Sequence, residues 1–166
     1  ARKGQRAEIF LKINNVVDQG IINRLYKASN AGGRIRMIIR GMCALVPGQK
    51  GFSANIQIIS IVDRFLEHPR VAIFYSGGDY YTFISSADWM TRNIDRRVEV
   101  GCPIYSPELK KIIRDIMEIQ WSDTTKARII DKEQSNCYKP RGNKKKIRSQ
   151  IAIYDYLKAV EENHAH

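Results

Sequence analysis

Residues 7–40, AEIFLKINNVVDQGIINRLYKASNAGGRIRMIIR, carry the strand and helix signals from which the fold class is predicted. The stretch opens with an apolar run over 7–13 that predicts a strand, and Asp18 offers a helix N-cap before apolar side chains at helical spacing. The pair Gly32-Gly33 ends that helix, because glycine tolerates a left-handed backbone. A second apolar run over 34–40 completes a strand–helix–strand unit, which predicts two parallel strands with a right-handed crossover.

The rest of the chain continues this alternation. Further strands are predicted over 55–62, 71–75, 80–85 and 97–100, and amphipathic helices are predicted to begin at Ser106 and Ile147. Ser76-Gly77-Gly78-Asp79 predicts a hairpin turn, and Ser106-Pro107 predicts an N-cap followed by an N1 proline. The fold class is therefore predicted as α/β, a mixed β-sheet flanked by helices, in one domain over 1–166 with a basic loop extension over 121–146.

The charge of the chain favours anionic partners. Its 166 residues include 28 Lys and Arg against 17 Asp and Glu, for a net charge of +11. Such an excess attracts nucleic acid, an anionic membrane surface or phosphate-rich small molecules, although solubility alone is the simpler explanation. The cluster over 139–148 lacks interleaved aromatic residues, so no specific nucleic-acid site is predicted. Most such clusters are a solvated surface or a loop that packs on another domain.

Several classes of protein are disfavoured. Cys43, Cys102 and Cys137 are far apart, which argues against a disulfide framework or a zinc site and for a reducing compartment. No apolar run approaches 18 residues, so no membrane span is expected. Without a targeting signal the chain is expected to be cytoplasmic, with membrane association left open. A strand predicted almost at the first residue indicates a piece of a longer protein.

His68 is the strongest candidate for chemistry, in the string Asp63-Arg64-Phe65-Leu66-Glu67-His68-Pro69-Arg70. Near neutral pH, histidine is well suited to move protons or accept a phosphoryl group. The guanidinium groups of Arg64 and Arg70 have paired N–H donors that suit phosphate oxygens. A histidine among phosphate binders predicts phosphoryl chemistry, although a lone histidine before proline is more often structural.

Two further segments carry candidate phosphate ligands. Arg40 ends a predicted strand and precedes Gly41, and ligands of open α/β sheets lie beyond the carboxyl ends of strands; the alternative is an ion pair with a carboxylate. The segment 85–99, SSADWMTRNIDRRVE, adds Asn93 and Arg97 as donors. Glu99 would share one face of a strand with Arg97 and could orient an imidazole.

Five blocks together resemble polyphosphate kinase of the long bacterial type. They are residues 38–43 (IIRGMC), 60–68 (SIVDRFLEH), 85–99, 123–128 (DTTKAR) and 138–143 (YKPRGN). The resemblance runs from about Glu8 to Leu157. It implies that this chain is the C-terminal one of two phospholipase-D-like halves.

The resemblance also implies an activity. That family reversibly transfers the ATP γ-phosphate to inorganic polyphosphate through a phosphohistidine, which would lie in a preceding domain outside this chain. Arg40 and His68 match the ATP-contacting arginine and the second essential histidine of the family. Mg²⁺ is implied as cofactor, with its ligands upstream and no metal ligands here. The implied partners are ATP or ADP, polyphosphate, the upstream domains and further copies of the full-length chain.

The resulting assignment groups the candidates by role. His68 and Glu99 are catalytic; Arg40, His68, Arg64, Arg70, Asn93 and Arg97 bind ATP or phosphate; Lys144, Lys145 and Lys146 steer polyphosphate. Arg40 and His68 are expected to converge on one anion pocket, and this piece alone is expected to be inactive. Two alternatives stay open, a phospholipase-D-like phosphodiesterase or nuclease and a non-catalytic polyanion-binding module. The first is disfavoured because no His-x-Lys-x-x-x-x-Asp motif is present.

Overall fold

The computed structural model describes residues 4–164, so residues 1–3 and 165–166 of the predicted domain lie outside the described part. The strands are β1 (Glu8–Ile13), β2 (Arg34–Ile39), β3 (Ile56–Ile61), β4 (Val71–Ser76), β5 (Asp79–Ser85), β6 (Gly101–Ile104) and β7 (Ala127–Ile130). The helices are α1 (Gln19–Asn30), α2 (Thr91–Asp95), α3 (Pro107–Trp121) and α4 (Ser149–His164).

The seven strands form one mixed sheet in the order β6-β5-β4-β1-β2-β3-β7. The pairs β1–β2 and β2–β3 are parallel, and the other four pairs are antiparallel. This confirms the predicted mixed α/β class. Because β4 and β7 run against their parallel neighbours, their first residues lie beside the last residues of β1 and β3. We call this side of the molecule the carboxyl end of the sheet.

Alternating side chains of the strands build a core on each face of the sheet. One face packs Leu11, Ile35, Met37 and Ile58 with Ile22 and Leu25 of α1. The opposite face packs Phe10, Ile38, Ile59, Ile61 and Ile73 with Met117 of α3. Two buried faces explain why the central strands read as nearly continuous apolar runs.

The predicted helix signals are confirmed. Asp18 Oδ1 accepts a hydrogen bond from Ile21 N at 2.9 Å, and Ser106 Oγ accepts one from Leu109 N at 3.3 Å. After α1 the chain turns at Gly32, whose φ is +89°. A Cβ on Gly33 would lie 2.9 Å from the carbonyl oxygen of Ala28, so glycine is required there for close approach.

Two parts of the sheet differ from the prediction. The strand predicted over 97–100 is wrong: α2 precedes this segment, the segment itself is irregular, and β6 begins at Gly101. The side chain of Val98 is fully exposed, so this segment gains no apolar burial as a strand. Strand β7 lies inside the stretch 121–146, predicted as a loop, because its four residues are too few for a clear pattern.

No helix within residues 4–164 combines the length and apolar character that a bilayer crossing requires. The thiols of Cys43, Cys102 and Cys137 are all free. Cys43 is half-buried, and burial raises the pKa of its thiol.

Candidate phosphate site at the carboxyl end of the sheet

The loops that leave and enter the strands at the carboxyl end carry three of the predicted site residues, Arg40, His68 and Arg70, together with polar residues that were not predicted. Asn14 and Asn15 follow β1, Arg40 follows β2, His68 and Arg70 precede β4, and Asp88 follows β5. Ligands of open α/β sheets bind outside the carboxyl ends of the strands. The topology therefore brings residues more than 70 positions apart in sequence to the same place.

Backbone hydrogen bonds hold three of these loops against one another. Val16 N donates to Met42 O at 2.9 Å, Trp89 N donates to Asn15 O at 3.1 Å, and Val17 N donates to Trp89 O at 2.9 Å. Gly41 lies so close that a Cβ there would be 2.6 Å from Asn15 Oδ1. These backbone contacts fix the separation of the loops.

Asp88 is the centre of the side-chain network and is only 6% exposed. Its Oδ1 accepts from Asn14 N (3.0 Å), Asn14 Nδ2 (3.2 Å) and Asn15 N (3.3 Å). Arg70 donates from Nε to Oδ1 at 3.1 Å and from Nη2 to Oδ2 at 3.2 Å. Burial alone would raise the pKa of Asp88, but the hydrogen bonds from Arg70, Asn15 and Asn14 outweigh it and lower that pKa. Asp88 is therefore a stable buried carboxylate.

Arg40 and His68 lie at the two ends of this network. Asn14 Oδ1 accepts from Arg40 Nε at 3.1 Å and from Arg40 Nη2 at 3.0 Å. On the other side, Arg70 Nη1 lies 3.2 Å from His68 Nδ1 and 3.3 Å from the His68 carbonyl oxygen, to which it donates. The structure thus joins Arg40 to His68 through Asn14, Asp88 and Arg70.

Arg40 and Arg70 are not equivalent, although both were predicted to bind phosphate. The guanidinium of Arg70 is held by the carboxylate of Asp88, which neutralises it. Within residues 4–164, no carboxylate lies within 4 Å of the Arg40 guanidinium, whose partner is a neutral amide. Arg40 therefore keeps an uncompensated charge for an anion, whereas Arg70 is placed to hold the imidazole of His68, which is exposed.

Glu99 and Asn93 form a second, separate group. Glu99 accepts hydrogen bonds from Ser86 Oγ and from Asn93 Nδ2, the latter at 2.6 Å. These two hydrogen bonds lower the pKa of Glu99, so its carboxylate is ionised. The structure pairs Glu99 with Ser86 and Asn93 rather than with His68, because 97–100 is not the strand on which that expectation depended. Asn93 is buried and its Oδ1 has no hydrogen-bond partner among the described residues.

A buried lysine beside the site was missed by the sequence analysis. Lys12 is 5% exposed, and its Nζ lies 2.6 Å from Glu67 Oε2, which also accepts from Gln120 Nε2 at 2.6 Å. Burial lowers the pKa of Lys12, Glu67 opposes that shift, and repulsion from Arg40 adds to it. The signal was a lone lysine inside the apolar run IFLKI, next to Asn14-Asn15 at the end of the strand.

The remaining predicted cations lie on loops outside this network. Arg64 and Arg97 are exposed, as are Lys144, Lys145 and Lys146. The lysine segment is held at the carboxyl end because Thr124 N donates to Ile147 O at 2.9 Å and Thr124 Oγ1 donates to Lys145 O at 3.2 Å. These side chains have no carboxylate partner within 4 Å among residues 4–164.

The carboxyl end also exposes apolar side chains. Leu66, two residues before His68, is 75% exposed, Val98, next to Glu99, is fully exposed, and Val62 and Phe65 are exposed as well.

The carboxylates of the site do not fit a divalent metal ion. Asp88, Glu67 and Glu99 each accept hydrogen bonds from neighbouring side chains. Within residues 4–164, no three His, Cys, Asp or Glu side chains are grouped so that they could hold a metal ion. The residues present therefore do not form a Mg²⁺ site of their own.

Comparison with solved structures identifies the class of this fold. Nuc from Salmonella typhimurium, a phospholipase D family member, superposes with a TM-score of 0.58 at 15% identity, over 79% of this chain and 86% of Nuc. The fold is that of the phospholipase D family. At this identity the likeness concerns the fold alone.

The particular family follows from the sequence. The family described as polyphosphate kinase C-terminal domain 2 matches residues 1–150, and this chain belongs to it. The polyphosphate kinase of Vibrio parahaemolyticus is 64% identical over 162 residues, which are 98% of this chain and 23% of that protein. The crystal structure of polyphosphate kinase from Porphyromonas gingivalis superposes with a TM-score of 0.95 at 46% identity, over 98% of this chain and 25% of that one. The resemblance deduced from the five blocks is confirmed, and the chain spans about a quarter of the length of these relatives.

Proposed function

We propose that this chain is the C-terminal part of a polyphosphate kinase that reversibly transfers the γ-phosphate of ATP to inorganic polyphosphate. The observation that carries the proposal is the hydrogen-bonded series from Arg40 through Asn14, Asp88 and Arg70 to His68. It presents one uncompensated guanidinium and one exposed imidazole at the same end of the sheet. Phosphoryl transfer depends mainly on such positioning and on charge stabilisation.

The transfer proceeds in two displacements. A histidine of the upstream domain attacks the γ-phosphorus, a P–N bond forms, and the bond to the β–γ bridging oxygen breaks to release ADP. A terminal oxygen of polyphosphate then attacks the same phosphorus, and the P–N bond breaks. Arg40 offsets the negative charge on the phosphate oxygens, and His68 donates a hydrogen bond or a proton to an oxygen of the transferring group.

The other predicted residues have supporting roles in the proposal. Arg64 and Arg97, both exposed, contact phosphate oxygens of ATP, and Arg70 holds His68. Asn93 and Glu99 support the loop that carries Arg97, and their mutual hydrogen bond at 2.6 Å favours this role. The charges of Lys144, Lys145 and Lys146 steer the polymer, whose repeated negative charges favour a basic path.

The upstream domains of the full-length protein complete the site. The relatives are about four times as long as this chain, and the exposed apolar side chains beside His68 and Glu99 support a covering domain. The phosphohistidine and the Mg²⁺ ligands lie in that upstream part, so the piece alone is inactive. The resemblance further supports a homo-oligomeric enzyme, and the need for ATP supports a cytoplasmic one.

The test restores the upstream part and compares the variants Arg40→Ala and His68→Ala with the unchanged full-length protein. Each variant is expected to lower ATP-dependent polymer growth by at least about 10²-fold, as loss of a charge-stabilising group or proton donor does. Arg34→Ala is the matched control, because Arg34 is exposed at the opposite end of the same strand. Wild-type polymer growth in both site variants would overturn the proposal.

Two assays separate the alternatives. Turnover of a generic phosphodiester by the full-length protein, without polymer growth from ATP, would favour a phosphodiesterase or nuclease. A non-catalytic polyanion-binding module would bind polyphosphate and DNA with equal affinity. That affinity would be unchanged in His68→Ala, and no polymer growth from ATP would be observed.

A further inference from the structure

Asp88 is a buried charged group that no step of the proposed transfer uses. Its two oxygens accept six hydrogen bonds, all of them from Asn14, Asn15 and Arg70. These donors belong to the loop after β1 and to the residue before β4. A carboxylate with this many donors is rigidly placed, and its neighbours are placed by it.

On one side, Asp88 determines which way the amide of Asn14 faces. Asn14 Nδ2 donates to Asp88 Oδ1 at 3.2 Å, so the amide oxygen is turned toward Arg40. There it accepts from both Nε and Nη2 of the guanidinium. The opposite orientation would set the NH₂ group of Asn14 against a cation that has only donors. The position of Arg40 therefore depends on the acceptor at residue 88.

On the other side, Asp88 holds the guanidinium of Arg70 through Nε and Nη2. The same guanidinium also contacts His68: Nη1 donates to its carbonyl oxygen at 3.3 Å and lies 3.2 Å from its Nδ1, and Nη2 lies 3.2 Å from its Nε2. Because Asp88 neutralises Arg70, that guanidinium supports the imidazole instead of competing with Arg40 for an anion. The position of His68 thus depends on the same carboxylate.

We propose that Asp88 is the positioning residue that sets Arg40 and His68 relative to each other for phosphoryl transfer. This inference rests on the proposed function, since it assigns Asp88 a role in that same site. Both oxygens of Asp88 serve only as acceptors, and an amide at this position would turn an NH₂ group toward a donor of Asn14, Asn15 or Arg70. Removal of the charge is therefore expected to disturb both ends of the network at once.

The experiment compares Asp88→Asn, Arg40→Ala and the double variant in the full-length protein, with the exposed Asp155→Asn of α4 as control. Asp88→Asn is expected to lower kcat/KM for ATP by about 10²-fold, as a misplacement of about 1 Å does. In the Arg40→Ala background the same change should lower kcat/KM by a smaller factor, because only His68 is then left to be misplaced. A purely structural role would instead lower activity by the same factor in both backgrounds.

A second variant covers the case in which Asp88→Asn does not fold. Asn14→Ala removes only the link to Arg40, so it should raise the KM for ATP, and it should have little effect once Arg40 is already alanine. Wild-type kinetics in both Asp88→Asn and Asn14→Ala, or multiplicative effects with Arg40→Ala, would overturn the inference about Asp88. Wild-type kinetics in Arg40→Ala itself would instead overturn the proposed function.

Discussion

Arg148 holds Asp63 through two parallel hydrogen bonds, from Nε to Oδ2 at 2.8 Å and from Nη2 to Oδ1 at 2.7 Å. Asp63 follows β3 and Arg148 immediately precedes α4, so this pair ties the last helix to the carboxyl end of the sheet. The side chain of Asp63 is 2% exposed and that of Arg148 is 40% exposed. A two-point arginine–carboxylate contact of this kind fixes orientation as well as charge.

The variant Asp63→Asn is expected to lower the free energy of unfolding by about 1–3 kcal/mol. The substitution removes a charge-assisted acceptor from a buried position, and partial exposure of Arg148 limits the loss. Urea denaturation measures the effect, with Asp155→Asn on the exposed side of α4 as control. An unchanged urea midpoint would contradict the expectation.

The contribution of this pair is also expected to depend on pH. The hydrogen bond from Arg148 lowers the pKa of Asp63 below its ordinary value, although burial opposes the shift. The stabilisation is therefore complete above the unfolded pKa of about 4 and is lost as the pH falls through the lower folded value. Denaturation curves of the wild type and Asp63→Asn should differ at pH 7 and converge in acid; a difference that stays constant down to pH 2 would argue against this linkage.

Asp123 caps the turn between α3 and β7, and Asp123→Ala is expected to destabilise the protein by about 3 kcal/mol. Its Oδ1 accepts from the backbone N–H groups of Thr125, Lys126 and Ala127 at 2.6–3.0 Å, and Oδ2 accepts from Ser149 N at 2.7 Å. Loss of the carboxylate leaves buried donors without partners. Thermal unfolding measures the effect, and a melting temperature equal to that of Asp155→Ala would contradict it.

Arg36→Lys is expected to destabilise the protein by about 1–2 kcal/mol although it conserves the charge. The guanidinium donates to both carboxylate oxygens of Glu118, at 2.8 and 2.6 Å, and its carbon lies 4.0 Å from the centre of the Phe10 ring. The ammonium group of lysine cannot both donate two parallel hydrogen bonds to Glu118 and stack on the ring of Phe10 as the planar guanidinium does. Arg34→Lys, at an exposed position of the same strand, is the control for chemical denaturation; equal midpoints for the two variants would argue against the geometry.

The three steering lysines are expected to act through charge alone. Replacement of Lys144, Lys145 and Lys146 by glutamine in the full-length protein should reduce the slope of log K for polyphosphate against log salt by about 2, near 0.7 per lost contact as for a single-stranded polyanion. Three exposed lysines elsewhere, Lys27, Lys50 and Lys158, give a control variant of equal charge. Equal slopes for the two variants would show that position is irrelevant.

The elements with strong local signals were predicted from the sequence. Asp18 and Ser106 cap their helices as expected, and the paired glycines at residues 77 and 78 form the turn of the β4–β5 hairpin. These features depend on neighbours within four residues along the chain, which a sequence displays directly. The short strand β7 escaped prediction because it exists through pairing with β3, about 70 positions earlier.

The site was predicted in its residue types but not in its connections. Arg40, His68 and Arg70 were singled out, yet Asn14 and Asp88, which connect them, were not assigned a role. In the sequence, an asparagine at the end of a strand resembles any loop residue. Its role becomes visible only when the fold brings it into contact with a partner 74 positions away along the chain. The strand predicted over 97–100 failed for a related reason, since Ser86 and Asn93 hold Glu99 in an irregular loop.

The pairing of Asp63 with Arg148 has a consequence for biosynthesis. Arg148 is the 85th residue that a ribosome adds after Asp63, and until then the nascent sheet lacks the hydrogen-bonded partner of this carboxylate. Contacts between residues so distant in sequence form more slowly than the contacts of local structure do. A truncation anywhere before residue 148 would leave this carboxylate without its hydrogen-bonded arginine, so the nascent chain gains the stability of this pair only when α4 begins to form.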